Sequence, residues 1–424
     1  MSKHILKGLP ELLDAGLISE ETSEKIKTYY LHKEQQSPDR LVLIFGILGA
    51  LLTGLGIILI IAHNWDDFSR AGKLFFALLP LLSGQLICAY TLFKKPESRL
   101  WREAGSVFLL LAIAASISIV SQVYNIPGDI SGFLFIWMLL SIPLIYVMKS
   151  AMTSLLVICG ITWYACSLSY FNYPNEIAWY YWPMLAAVIP FFISLMKNKR
   201  GNVFYFHSWL LALSIIISLG MFESSSNFIF IAYMSLFSLF VLIGESRWFS
   251  DSKIISNAFL VAGSLGSTIL LLMGSFDWMW KEIAGSNLLM DTAFVVGAIV
   301  SSLAALLLVY EIRRKGLSSI NPKSFIFLIF IPLYALAMVQ PEVAQWLTNM
   351  LVLAIAVVTT WRGAERDNIF ILNYGLLILA ALILCRFFDT NLSLVARGIL
   401  FVIVGLSFFG ANYWVLRKRK LQNA

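Results

Sequence analysis

Apolar stretches of about 17–24 residues recur from residue 41 to the end of the chain, and they limit its fold more than any other feature. A helix needs about 20 residues to cross a ~30 Å hydrocarbon core, so each stretch has the length of one crossing. The runs are 41–63, 73–93, 105–124, 132–148, 152–171, 177–196, 204–222, 227–244, 256–276, 292–310, 324–339, 346–361, 368–386 and 394–416. They predict an all-α polytopic transmembrane helical bundle of about fourteen spans. The fourth, eleventh and twelfth are the shortest, and a pair of these could be re-entrant. Composition agrees: hydrophobic residues make up 59% of the chain and charged residues 13%. A soluble chain holds about 45–50% and about 25%, so this one cannot cover itself with polar groups in water.

The charges check the span count independently. Of the 31 Lys and Arg residues, only Arg70, Lys73, Lys281, Arg386 and Arg397 fall in the loops of one face. The rest fall in the alternate loops and termini, which places those segments, and both chain ends, in the cytoplasm. A span gained or lost would scramble this alternation beyond the error. Basic residues confined to short loops set orientation, so nucleic-acid binding is not expected despite the net charge of +7. The organisation expected is a cytoplasmic helical hairpin over 1–40, a bundle over 41–416 and a basic cytoplasmic tail over 417–424. The run at 41–63 is too long and too late for a cleavable signal peptide and should act as an uncleaved insertion signal.

In the hairpin, Leu6, Leu9, Leu12 and Leu13 recur at helical spacing and Gly16 can close that helix in a left-handed conformation. Ser19 is placed to cap a second helix, with Glu20, Glu21 and Glu24 near its positive end and Ile26, Tyr29 and Tyr30 along it. Residues 4–31 are a surface for self-association or a protein partner, and membrane lipids are the other partners expected. The four cysteines, Cys88, Cys159, Cys166 and Cys385, all fall in spans. Cys159 and Cys166 are two helical turns apart, roughly 10 Å, too far for a disulfide or a shared metal. The run Trp179-Tyr180-Tyr181-Trp182 reads first as an interfacial belt, and Trp278 and Trp280 lie on the longest outer loop, 277–291. Pro80, Pro143, Pro183, Pro190 and Pro332 within spans imply kinked or broken helices. Gly49 and Gly56 share a face of the first span and suit close helix approach.

No metalloprotease, phosphate-loop, nucleophile-elbow or paired-cysteine motif occurs, and neither metal nor cofactor is expected. Polar groups gather instead at the outer boundary. The first outer turn carries His63, Asn64, Trp65, Asp66, Asp67 and Arg70; the third span ends in Gln122, Tyr124, Asn125 and Asp129; the last outer turn holds Arg386, Asp389 and, beyond it, Arg397. Ionisable residues at the bilayer boundary are costly and often functional, so these form a candidate substrate-binding vestibule. The plainer alternative is that they cap helix ends and pair with one another. Asn125-Ile126-Pro127-Gly128-Asp129 likewise has a simple turn reading, and Gln122 and Tyr124 could hydrogen-bond between helices. A loose echo between the first and last hairpins, and between Trp248–Lys253 and Trp65–Arg70, would suit two inverted halves of seven spans.

Three separated motifs, Leu12-Leu13-Asp14-Ala15-Gly16-Leu17-Ile18-Ser19, Ala62-His63-Asn64-Trp65-Asp66 and Ser121-Gln122-x-Tyr124-Asn125, together with Trp101-Arg102-Glu103, resemble the bacterial membrane-protein family called domain of unknown function 2157. The resemblance covers roughly the first 150 residues. It implies a bacterial inner-membrane location and no established activity.

Three function classes fit. A transporter or flippase of an amphipathic or lipid-linked substrate fits the span number, the in-span prolines and the outer polar residues. A membrane-embedded enzyme on lipid-linked substrates would use His63 or Asp66 as general base. A scaffold, sensor or assembly factor would act through the N-terminal hairpin.

Overall fold

The computed structural model describes residues 2–35, 65, 67–171, 176–196, 201–223, 227–249, 257–285, 290–365 and 367–389, with scattered helical positions between 395 and 413. The runs at 41–63 and 394–416, with Gly49 and Gly56, lie wholly or largely outside these. Among the described residues the secondary structure is helical, with no strand. The chain divides into two compact units, residues 1–76 and 77–424.

The first unit opens on the expected hairpin, α1 (Ser2–Asp14) and α2 (Glu20–Gln35). Gly16 takes φ +66°, and the Gly16 and Leu17 amides return to the carbonyls of Leu13 and Leu12, the pattern of a left-handed C-terminal cap. Ser19 Oγ then accepts from the Thr22 amide at 3.3 Å, capping α2. Farther along, Trp65, Phe68 and Phe76 form a ring cluster with Lys73 Nζ 5.5 Å from the Trp65 ring.

Helix α3 (Arg70–Lys94) begins in the first unit. The second unit continues with α4 (Arg99–Tyr124), α5 (Ile130–Val147), α6 (Ala151–Ser169), α7 (Tyr181–Leu195), α8 (Asn202–Leu219), α9 (Ile229–Glu245), α10 (Ala258–Met273), α11 (Asp277–Gly285), α12 (Thr292–Lys315), α13 (Ile326–Ala337), α14 (Pro341–Glu365) and α15 (Ile369–Asp389). Among the described residues eight helices are long and apolar enough to cross a membrane; α10 with α11 forms a pair bent by 81°, and three apolar helices are shorter. Large apolar side chains stand exposed along them, among them Leu86 at 71%, Leu111 at 53% and Leu306 at 69%. In water a surface of that kind would associate; facing acyl chains it is at home, and the protein is a membrane protein with several transmembrane helices.

Of the three short spans, the eleventh stays short as α13, 12 residues, while the other two pass the length of a crossing. The fourth is α5, 18 residues, and the twelfth is α14, which runs 25 residues because Glu342 and Gln345 continue the helix past the apolar stretch. Shorter helices are α7, α9 and α13. Helix α9 is apolar all round because it is central: Ile229, Ala232, Leu236 and Phe240 join one hydrophobic cluster, whereas Met234, Phe237 and Leu242 join another. It packs on α10, α12 and α13. Pro80, Pro143, Pro190 and Pro332 lie inside helices, while Pro183 occupies the first turn of α7, where no backbone hydrogen bond is lost. Two aromatic expectations change. Tyr181 is fully buried, its hydroxyl 2.7 Å from Ser214 Oγ, although Trp179 and Tyr180 beside it are exposed. Trp280 is also fully buried, on the amphipathic helix α11 that occupies the expected loop.

Candidate functional site

The 122–129 segment is built as a turn. Asn125 takes φ 49°, its amide and that of Ile126 return to the carbonyls of Gln122 and Ser121, and Asn thereby plays the part usually given to glycine at the end of α4. Asp129 caps α5, accepting from the Gly132 amide at 3.1 Å and from the Ser131 hydroxyl. These two bonds, the hydroxyl first, hold its carboxyl below the ordinary carboxylate range. Gln122 and Tyr124 project exposed side chains, and among the described residues neither hydrogen-bonds to another helix. In the first unit Trp65 is half-buried, and Asp67 and Arg70 are exposed. His63, Asn64, Asp66 and Arg397 lie outside the described residues, and Asp389 ends α15. The motif residue Glu103 has a structural partner: it accepts from the amides of Ala151 and Met152 at 3.0 and 2.9 Å and from Ser150 Oγ, closing the start of α6 from a different helix.

Arg386 lies elsewhere in the second unit. It donates to the Ser275 carbonyl and stands 5.6 Å from the Phe276 ring. Gln345 Nε2 reaches the same carbonyl at 3.1 Å. With Asp277, Glu342 and Asn349 these groups line a cavity of about 510 Å³ between α11, α14 and α15. Asp277 pairs with Lys281 through Oδ2, and both Asp277 Oδ1 and Asn349 Oδ1 are buried without a hydrogen-bond partner.

A second cavity, about 490 Å³, lies along the opposite ends of α14 and α15. Its construction starts at the C-terminus of α9, where the Glu245 carboxylate accepts from Asn321 Nδ2 at 2.8 Å and from the Asn321 amide at 3.3 Å. Asn321 in turn caps the 3-10 turn Pro322–Phe325 through the Lys323 amide, and Ser238 Oγ donates to the Lys323 carbonyl at 3.3 Å. Lys323 is thereby fixed ahead of α13 and is only 5% exposed. Its Nζ donates to Tyr374 Oη at 3.0 Å and lies 4.1 Å from the centre of that ring. Tyr374 donates onward to the Ser264 carbonyl and touches Thr268 Oγ1, each at 2.8 Å. Among the described residues the Lys323 ammonium has no carboxylate partner. Arg362 and Thr359 stand farther along the same wall, and the remainder is aliphatic, as at Val261, Ile355 and Ile371. Both volumes fall within the ~300–1,000 Å³ typical of small-molecule sites.

Sequence reasoning passed over this cavity because its members come from five helices and two 3-10 turns, and Lys323 reads as one more positive residue in an inner loop. The signal available was a lysine, next to a proline, directly against an uninterrupted apolar run. Among the described residues no group of His, Cys, Asp and Glu is arranged to hold a metal ion, and the four cysteines are free thiols.

Residues 10–154 match the model of the family described as Predicted membrane protein (DUF2157). No curated protein and no solved structure matches the chain.

Proposed function

We propose that the protein is a transporter or flippase of an amphipathic or lipid-linked substrate. The observation that supports this is the pair of cavities on one helical hairpin. One takes its polar groups from the start of α14 and the end of α15, the other from the end of α14 and the start of α15. Asn349 and Arg362 are thirteen residues apart on α14, roughly 20 Å at the helical rise of 1.5 Å per residue. A substrate exchanging between two such cavities would traverse most of the ~30 Å hydrocarbon layer. Carriers commonly hold their substrate between packed helices and expose it to each side in turn.

In this reading the runs at 41–63 and 394–416 complete about fourteen spans, the sorted basic loops face the cytoplasm with both termini, and the membrane is the bacterial inner membrane. The Arg386 cavity is then the outer one, on the same membrane face as the vestibule residues His63, Asn64, Trp65, Asp66, Asp67, Arg70, Gln122, Tyr124, Asn125, Asp129, Asp389 and Arg397. The Lys323 cavity is the inner one.

The test is lipid translocation by the full chain in proteoliposomes, read as dithionite quenching of a fluorescent phosphatidylglycerol placed in the inner leaflet. Wild type is expected to expose the inner-leaflet pool, and Asn349→Leu, which removes the amide from the outer cavity, to slow this at least about tenfold. Quenching no faster than in protein-free vesicles, for this lipid and for a lipid-linked sugar, would refute the proposal.

A further inference from the structure

Among the described residues the other fully buried charge is compensated: Glu311, 2% exposed, is held by Arg314 and Lys315 at 3.0 Å each. Lys323 breaks this pattern. It is as buried as Glu311, yet among the described residues its ammonium meets one neutral hydroxyl and the ring that carries it. An ammonium removed from water without a counter-ion costs several kcal/mol, and a methionine at this position would pack without that cost. Glu245 lines the same cavity, but its two oxygens are engaged by Asn321.

The walls indicate what supplies the missing charge. From Leu351 to Arg362 the cavity follows α14 for about 17 Å, aliphatic for most of that length. Its rim includes Leu265 and Ile329, each 43% exposed, and Phe370, 82% exposed. These side chains would meet hydrocarbon in a bilayer, so an occupant can enter from the acyl layer without crossing a polar barrier. One end therefore recognises an anion and the rest recognises a hydrocarbon chain.

We propose that the Lys323 cavity binds an acyl chain carrying a single anionic group, the chain lying along α14 and the anion on the Lys323 ammonium. Arg362, on the same helix, stands to receive a larger anionic head. The inference rests on the amphipathic-substrate reading above and adds the sign of the substrate's charge and the residue that recognises it. Carboxylate and phosphate share the required chemistry, an oxyanion able to accept a charge-assisted hydrogen bond.

The experiment is equilibrium binding to the full-length protein in phosphatidylcholine nanodiscs, using oleate, oleoyl-lysophosphatidate and the neutral monoolein as probes. Wild type is expected to bind one or both anions at least about tenfold more tightly than monoolein, since a hydrogen bond to a charged group contributes about 1.5–3 kcal/mol. Lys323→Met should remove that preference, whereas Lys323→Arg should retain most of it. Tighter oleate binding indicates a fatty acid and tighter lysophosphatidate binding a phospholipid head, and either supports the site. Equal binding of monoolein, or unchanged anion binding by Lys323→Met, overturns it. Folding is controlled by the melting temperature, which Lys323→Met should hold or raise; if that variant does not fold, the same comparison is read with Lys323→Gln. A protein that binds the anions but moves no lipid keeps the site and loses the transport reading. A protein that moves lipid with no preference for anions does the reverse.

Discussion

Glu103 shows how a single carboxylate can serve backbone rather than chemistry. Two of its three bonds satisfy amides at the start of α6 that have no partner within their own helix, and the third is accepted from the Ser150 hydroxyl. Glu103→Ala should therefore lower the melting temperature, by roughly 2–3 kcal/mol of stability for the loss of charge-assisted bonds, checked by thermal unfolding in detergent. Asp129 acts similarly within its own turn, and its replacement by Ala should cost about 1 kcal/mol. That contribution depends on pH in a defined direction. Because the folded-state carboxyl is held below its ordinary value, the stabilisation is complete above about pH 4 and lost as the pH falls through the lower folded value. The stability difference between wild type and Asp129→Ala should accordingly shrink toward zero on acidification; a difference constant down to pH 2 would contradict the capping role. Glu103 and Asp129 could be picked out from sequence as polar residues near helix ends. What each bonded to was not legible for Glu103, because its partners lie 47 to 49 residues away.

At the scale of elements, length and apolarity located the described helices well, since hydrocarbon thickness sets both. Periodicity was less informative: in α5, α8 and α12 apolar residues surround the axis, so no face announces itself. The short amphipathic α11 was missed because its Asp277, Lys281 and Glu282 resemble a loop, while its Met279, Trp280 and Ile283 are buried. The Lys323 cavity was invisible for a related reason, its walls being assembled from helices far apart in sequence. The hairpin that carries both cavities depends on close approach: a Cβ added to Gly363 would come within 2.3 Å of the Leu372 amide, and one on Gly375 within 2.5 Å of the Thr360 amide. Gly363→Ala should thus separate α14 from α15, with a loss on the order of 1–3 kcal/mol and weakened binding of any ligand in the Lys323 cavity. Gly128→Ala is the matched control, because nothing lies within 4 Å of its added methyl and its melting temperature should not move.

For the whole molecule, the sorted charges make orientation testable without knowledge of the substrate. In a cysteine-free background, Gly128→Cys should react with a membrane-impermeant maleimide on intact spheroplasts, and Lys95→Cys only after lysis; the opposite pattern would invert the orientation proposed. The clasp between Glu103 and the start of α6 also bears on biogenesis. Translation delivers Glu103 well before Ser150, and residues 10–154, the stretch matching the family model, contain both partners. The acceptor is therefore already in the membrane when the amides of Ala151 and Met152 leave the ribosome. In a nascent chain that ends before residue 150, the described partner left to that carboxylate is Arg99, 3.9 Å away. Insertion in chain order thus has α4 present the carboxylate that the start of α6 takes up when it follows.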